Sequence, residues 1–208
     1  MSTYYLLAAQ TGTGHAGTEG DPFSWEDFLT RLNIPDGASI PAGKIIRGDT
    51  VFVDGIIKKG CPVINVPVIN GYNYYRNIFI DKWGNDPWRM LLSGTGEPQW
   101  CNLSGFIFNN GLLFSTSAVI LEAQRQNEDG GGTIIDPTDY IIKNLFLVIQ
   151  QSYDNLGLRI RYVDKKLTIK GSSINIYSGR RTIDFYRIGG TPELDLIDST
   201  FIVDRVLN

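Results

Sequence analysis

The segment Asp81-Lys82-Trp83-Gly84-Asn85-Asp86-Pro87-Trp88 carries residue types that suit carbohydrate recognition. Two tryptophans on a turn, with Tyr72, Tyr74 and Trp100 nearby in the chain, can present ring faces to the C–H surface of a sugar. Asp and Asn beside them can exchange hydrogen bonds with its hydroxyls. Trp83, Asp86, Trp88 and Asp81 are therefore the candidate carbohydrate-binding residues. The competing reading makes both tryptophans large amphipathic covers on the edge of a packed core. No cofactor and no metal-ligand set is expected, and no residues are assigned a catalytic role.

Other chemistry-bearing residues read as structural. Glycoside hydrolysis needs two carboxylates roughly 5–9 Å apart, and lyases typically use Ca²⁺ held by carboxylates together with a base. Asp81 would face Asn109 in the next repeat, which is no carboxylate partner, while Asp195, Asp198 and Asp204 gather near the end of the sequence. These charges are read as solvating turns and outer faces. The Gly/Thr-rich stretch from Gln10 to Pro22 lacks the Gly-Lys-Ser/Thr ending of a phosphate loop. His15, the single histidine, lies in that loop, which makes a zinc site or Ser-His-Asp triad improbable. Cys61 and Cys101, far apart and outside any ligand cluster, are read as buried free thiols. Arg47-Gly48-Asp49 is read as a turn into a strand, not as an adhesion tripeptide.

Composition narrows the partners. The net charge is −3, from 19 Lys and Arg against 22 Asp and Glu, without a long run of either sign. Nucleic acid is not expected, because it calls for clustered cations that replace phosphate counterions. A membrane is not expected either, since no apolar run is long enough to span one. The opening Met1 to Ala9 lacks the basic n-region and apolar length of a secretory signal.

The elements that must position these residues follow from the pattern. Ser24 is a good N-cap, with Asp27 as its capping-box partner and Trp25, Phe28, Leu29 and Leu32 on one helical stripe. Asn33, Pro35 and Gly37 end that helix. Beyond it a unit recurs: an apolar residue, a polar one, a small or turn-tolerant one, then a short β-favouring run. Its starts fall at Ile46, Tyr75, Leu103, Ile142, Ile169 and Ile197, and the longest interval holds the polar Gln124–Gly132 insertion. Short runs such as Val63 to Ile69, Arg89 to Leu92, Leu158 to Val163 and Thr182 to Ile188 fall between these starts. Asn77, Asn144, Gly105 and Gly171 suit left-handed bends. Returning strands without helices predict an all-β chain, a parallel β-helix. Residues 1–45 form the N-terminal strand, loop and capping helix, and residues 46–208 form the coils of one continuous domain. An antiparallel sandwich accounts for the strands but not for their returning starts.

The residues also resemble a family. Thr3-Tyr4-Tyr5, the Gly-rich loop, Asp21-Pro22-Phe23-Ser24 and Gly48-Asp49-Thr50-Val51-Phe52-Val53 are similar to the N-terminal region of right-handed parallel β-helix proteins of the pectate-lyase-like superfamily. That resemblance implies a right-handed coil with an N-terminal cap and leaves activity open, because the superfamily holds lyases, hydrolases, phage tailspikes and non-catalytic surface proteins. Arg159-Ile160-Arg161 resembles the Arg-Ile-Lys of pectin-hydrolysing relatives, without the Asn-Thr-Asp, Asp-Asp and Gly-His-Gly motifs that accompany it there. The expected function is a non-catalytic structural or adhesive β-helix, a virion component such as a phage tail, fibre or spike, or an extracellular surface protein. The alternative is a polysaccharide lyase or glycoside hydrolase acting on an acidic glycan. Ile197 to Leu207 stays strand-like, so a homo-oligomer or another structural protein is expected to cover that end.

Overall fold

The structure, a computed structural model, describes residues 1–74, 76–94, 100–122, 140–150, 156–163, 166–178, 181–188 and 193–205. Tyr75, the Gln124–Gly132 insertion and the last three residues lie outside them. The chain is mostly β. In order come β1 (Thr3–Leu7), α1 (Trp25–Leu32), β2 (Thr50–Asp54), β3 (Ile56–Gly60), the short β4 (Val68–Ile69) and β5 (Tyr72–Asn73), and β6 (Ile78–Lys82). Then follow β7 (Trp88–Ser93), β8 (Trp100–Asn102), β9 (Phe106–Ser115), β10 (Ala118–Glu122), β11 (Tyr140–Gln150) and β12 (Leu156–Val163). The last are β13 (Lys166–Lys170), β14 (Ser173–Ser178), β15 (Arg181–Ile188), β16 (Glu193–Ile197) and β17 (Thr200–Arg205).

Pairing is parallel throughout the two larger sheets, with strands far apart in sequence lying side by side. One row runs β1-β2-β6-β9-β11-β13-β16. A second row, in the same 11-stranded sheet, runs from β3 through β7, β9, β11 and β14 to β17. A separate four-stranded sheet is ordered β15-β12-β10-β8. Among the described strands only β4 and β5 pair antiparallel, around Asn70-Gly71 with φ of 50° and 82°, the residue pair that a type I′ turn requires.

Alternation along each strand makes the core. Val51, Ile80 and Phe108 stand opposite one another, as do Met90, Leu113, Leu147 and Ile174, and Cys101, Val119 and Leu158. All are buried in one apolar cluster. Each full Leu, Ile or Phe burial contributes about 1.5–3 kcal/mol, which makes these stacked rows the main source of stability. The helix α1 buries Trp25, Phe28 and Leu32, and the Phe28 ring stacks on Phe106 at 6.2 Å. Ser24 caps it as expected, its hydroxyl accepting from the Asp27 N–H.

The bend joining the two rows recurs at residues that tolerate the left-handed region: Gly55 (φ 86°), Asn110 (54°), Asn144 (50°), Gly171 (59°) and Asp198 (47°). Gly105 (86°) is left-handed too, but Asn77 is not, correcting the expectation for that residue. The starts at Ile46, Tyr75 and Leu103 agree with the ladder, because Thr50 pairs with Phe79 and Ile78 with Phe106. Ile142 pairs with Ile169 as the repeat implies. Two other alignments shift. Lys143 stands opposite Asn109, not Ser104, and Ile169 pairs with Leu196, not Ile197. Inward alternation outweighs the resemblance of the units, since a one-residue slip would turn every core side chain to the other face. From Val63 to Ile69 only Val68–Ile69 is strand.

Candidate functional site

Of the four predicted carbohydrate-binding residues, Trp88 does not reach the surface: it is fully buried. Its ring packs on Phe108 at 5.2 Å and lies over Gly111, where a Cβ would come within 1.9 Å of it. Its Nε1–H donates to the Asn109 carbonyl at 2.6 Å. Neither ring face is open to a ligand, so the two-tryptophan platform is corrected: Trp88 is core. Trp83 is half-buried and meets Tyr5 edge-on at 5.0 Å. Trp100 lies on the other sheet under the Arg159 guanidinium, and Tyr72 and Tyr74 stand at the β4–β5 hairpin. Asp86 is exposed in the bend before β7.

Asp81 has a structural task. Its carboxylate accepts from Asn109 Nδ2 and Asn110 Nδ2, each at 2.9 Å, and from the Lys82 N–H at 2.7 Å. Asn144 Nδ2 in turn donates to Asn110 Oδ1 at 2.8 Å. One carboxylate and two amides thus bridge three successive returns of the chain at the bend. At the next return a Cβ on Gly171 would lie 2.6 Å from Asn144 Oδ1, so the Asn144 amide would have to shift to admit a side chain there.

The surface beside this bend was missed in the sequence. On β3, β7, β9 and β11 the residues Ile57, Met90, Leu113 and Leu147 point inward and are buried. The opposite row, Ile56, Arg89, Leu112 and Phe146, points outward in register. A solvated sheet face ordinarily carries polar residues there, yet Ile56 and Phe146 are 44% and 43% exposed. With Pro87 and Leu91 they line a cavity of about 640 Å³, edged by Lys58, Lys82 and Arg89 and by the bend amides of Asn110 and Asn144. Among the described residues no carboxylate pairs with Lys58 or Arg89. An apolar floor with three cations can hold a ligand that has both a hydrophobic surface and acidic groups. The available signal was Phe146-Leu147-Val148-Ile149, a strand apolar on both faces where one face should be polar.

Other sequence candidates resolve into structure. Asp27 accepts from the Gly14 and His15 N–H groups at 2.8 and 3.2 Å, so part of the Gly-rich loop's donor set is already used. Burial pushes the Asp27 carboxyl up, but these bonds and Ser24 outweigh it and hold it below its ordinary range. His15 Nδ1 meets Asp21 Oδ1 at 2.7 Å, which raises the imidazole pKa. The Ala16 N–H, and after it His15, lowers that of Asp21. Ser24 donates to Asp27, not to His15, so these residues form no triad. Asp49 of the Arg-Gly-Asp triplet is fully buried and accepts from the Ser2 and Ile46 N–H groups, a turn as expected. Asp195 pairs with Lys166, and Asp198 supplies a left-handed bend. Among the described residues no three His, Cys, Asp or Glu gather as a metal site.

Comparison with protein-family models, with curated proteins and with solved structures gives no match for this chain.

Proposed function

We propose that the chain is a structural or adhesive module built as a right-handed parallel β-helix, completed at its β16–β17 edge by another chain. One observation carries this reading. Ile142 and Ile169 of one inward row are fully buried, and their next neighbour Leu196 is 50% exposed. Ile149 and Ile176 are likewise buried, and Val203 beside them is 46% exposed. The stacked core is exposed at these strands, and among the described strands none pairs with their outer edges. A second copy, or another structural protein with matching strands, would bury both. In this reading the chain belongs to a virion tail, fibre or spike, or to another extracellular surface assembly. Light scattering after size exclusion should give a concentration-dependent oligomer. Leu196→Lys with Val203→Lys should give a monomer with unchanged β circular dichroism. A wild-type monomer at micromolar concentration would overturn the reading.

The adhesive contact in this reading is the cationic groove, its ligand an acidic glycan or an acidic protein surface. The second reading is a lyase or hydrolase acting on an acidic glycan, to which the groove offers Lys58, Lys82 and Arg89 for the uronate carboxylates but, among its lining residues, no carboxylate for catalysis. Incubation with a panel of acidic polysaccharides separates the two. Retention without new reducing or unsaturated ends supports adhesion, and product formation lost in Arg89→Ala supports the enzyme.

A further inference from the structure

The two strand rows begin differently. β1, the first strand of one row, has its outer edge closed by the chain itself. The Tyr5 N–H donates to the Gly17 carbonyl at 2.9 Å, the Phe23 N–H to the Tyr5 carbonyl at 2.8 Å, and the Leu7 N–H to the Phe23 carbonyl at 3.1 Å. β3 opens the other row and, among the described strands, pairs only with β7. The Arg89 N–H donates to the Gly55 carbonyl at 3.3 Å, and the Cys61 N–H to the Ser93 carbonyl at 3.2 Å. Alternation then turns the main-chain groups of Ile57 and Lys59 toward β7 and those of Ile56, Lys58 and Gly60 away from it. Among the described residues nothing bonds to the latter, and Ile56, Lys58 and Gly60 are all exposed. An edge of free donors and acceptors, about 13 Å long at the rise of a strand, is a template for one more strand.

That edge borders the groove. Ile56 and Lys58 line it, and a second cavity, sharing Lys58 and Leu91, continues it past Gly60 to Thr116. Lys59 points the other way and is spent on Glu26 of α1 at 2.7 Å. Lys58 has no such partner among the described residues. A lysine on an edge strand ordinarily keeps copies apart. An antiparallel pairing of two β3 edges that sets Ile56 against Gly60 would set Lys58 against Lys58, and like charges directly opposite repel. The same charge attracts a strand that carries a carboxylate there. Sugar hydroxyls find fewer partners, because the Asn110 and Asn144 amides are already bonded to Asp81 and to each other.

We propose that β3 is a docking edge for an acidic polypeptide segment, which adds as a strand beside Ile56, Lys58 and Gly60. Its outward side chains lie along the groove, apolar beside Ile56 and acidic beside Lys58. This rests on the adhesive reading of the groove and selects protein over glycan as its ligand. The main chain supplies affinity, and the alternating side chains supply specificity.

The probe is the synthetic peptide acetyl-Val-Thr-Glu-Thr-Val-Thr-Glu-amide, titrated into the full chain by calorimetry. Hydrogen exchange should show the Ile56, Lys58 and Gly60 amides gaining protection on binding. Methyl groups on one alternate set of the peptide's main-chain nitrogens should abolish binding, and on the other set should leave it intact. Gly60→Pro removes one edge N–H without removing a charge or a bond to β7, and should weaken binding about five- to tenfold. Lys58→Glu should lose the peptide and bind its analogue with Lys in place of Glu, and circular dichroism reports whether each variant folds. Equal binding by both methylated peptides, or binding without protection of the β3 amides, rules out strand addition. A uronate oligosaccharide that binds where the peptide does not would sink the proposal and leave the adhesive reading standing, whereas binding of neither would remove both.

Discussion

The Asp81 bend and the groove beside it share a border, and each uses its residues against type. At the bend, acidic and amide side chains that look able to bind a ligand are spent on one another, Asp81 to Asn109 and Asn110, and Asn110 to Asn144. In the groove, Ile56, Leu112 and Phe146, which look like core, face outward. The difference teaches that polarity alone does not locate function in a stacked sheet. A polar group on the ladder is consumed by its neighbour, and an apolar group is free for a partner only where its row points away from the core.

The largest break in this comparison comes from Trp88, assigned to the core side. Trp88→Ala should cost about 3–5 kcal/mol, read as a fall in urea midpoint, because it empties the volume over Gly111. A near-neutral Trp88→Ala with lost ligand retention would return the tryptophan to the surface. Asp81→Ala should cost less, about 1–3 kcal/mol, by leaving the Asn109 and Asn110 amides without their acceptor. Asp81→Asn should recover part of that, since one oxygen still accepts.

Groove substitutions should do the reverse. Arg89→Ala and Lys58→Ala should change stability by no more than about 0.5 kcal/mol. Retention on an acidic polysaccharide column should nevertheless drop, and elution should move to lower salt. The smallest effect concerns His15. Its pKa is raised in the folded chain by the Asp21 hydrogen bond, so its stabilising contribution is complete below about pH 6.5, the unfolded value. That contribution is lost as pH rises through the folded value. An NMR titration of the imidazole should show a midpoint above that of the unfolded chain, and Asp21→Asn should bring it back.

Parts of this arrangement were legible in the chain. Ser24 and Asp27 with the Trp25, Phe28 and Leu32 stripe marked α1, because capping and helical periodicity are local. Asn70-Gly71 carries a turn signature that went unread, although β4 and β5 use it. The spacing from Thr50 to Phe79 and from Ile78 to Phe106 could be read because β2, β6 and β9 repeat almost without interruption. The later units, aligned on look-alike residues, were misplaced at Lys143 and Ile197, since register is chosen by which face a row must bury. The 39-residue interval does occur, but between Val119 of β10 and Leu158 of β12.

By itself the sequence determined that short strands return in parallel, that a capped amphipathic helix precedes them, and that Asn144, Gly105 and Gly171 make left-handed bends. Those depend on neighbours within a few residues and on alternation along one strand. Only the tertiary structure decided that Trp88 is core, that Asp81 is a bridge, and that Leu112 and Phe146 share an outward row with Arg89. Each of these depends on what the adjacent strand presents at the same register. That strand arrives from a distant part of the chain, set by packing and not by local preference.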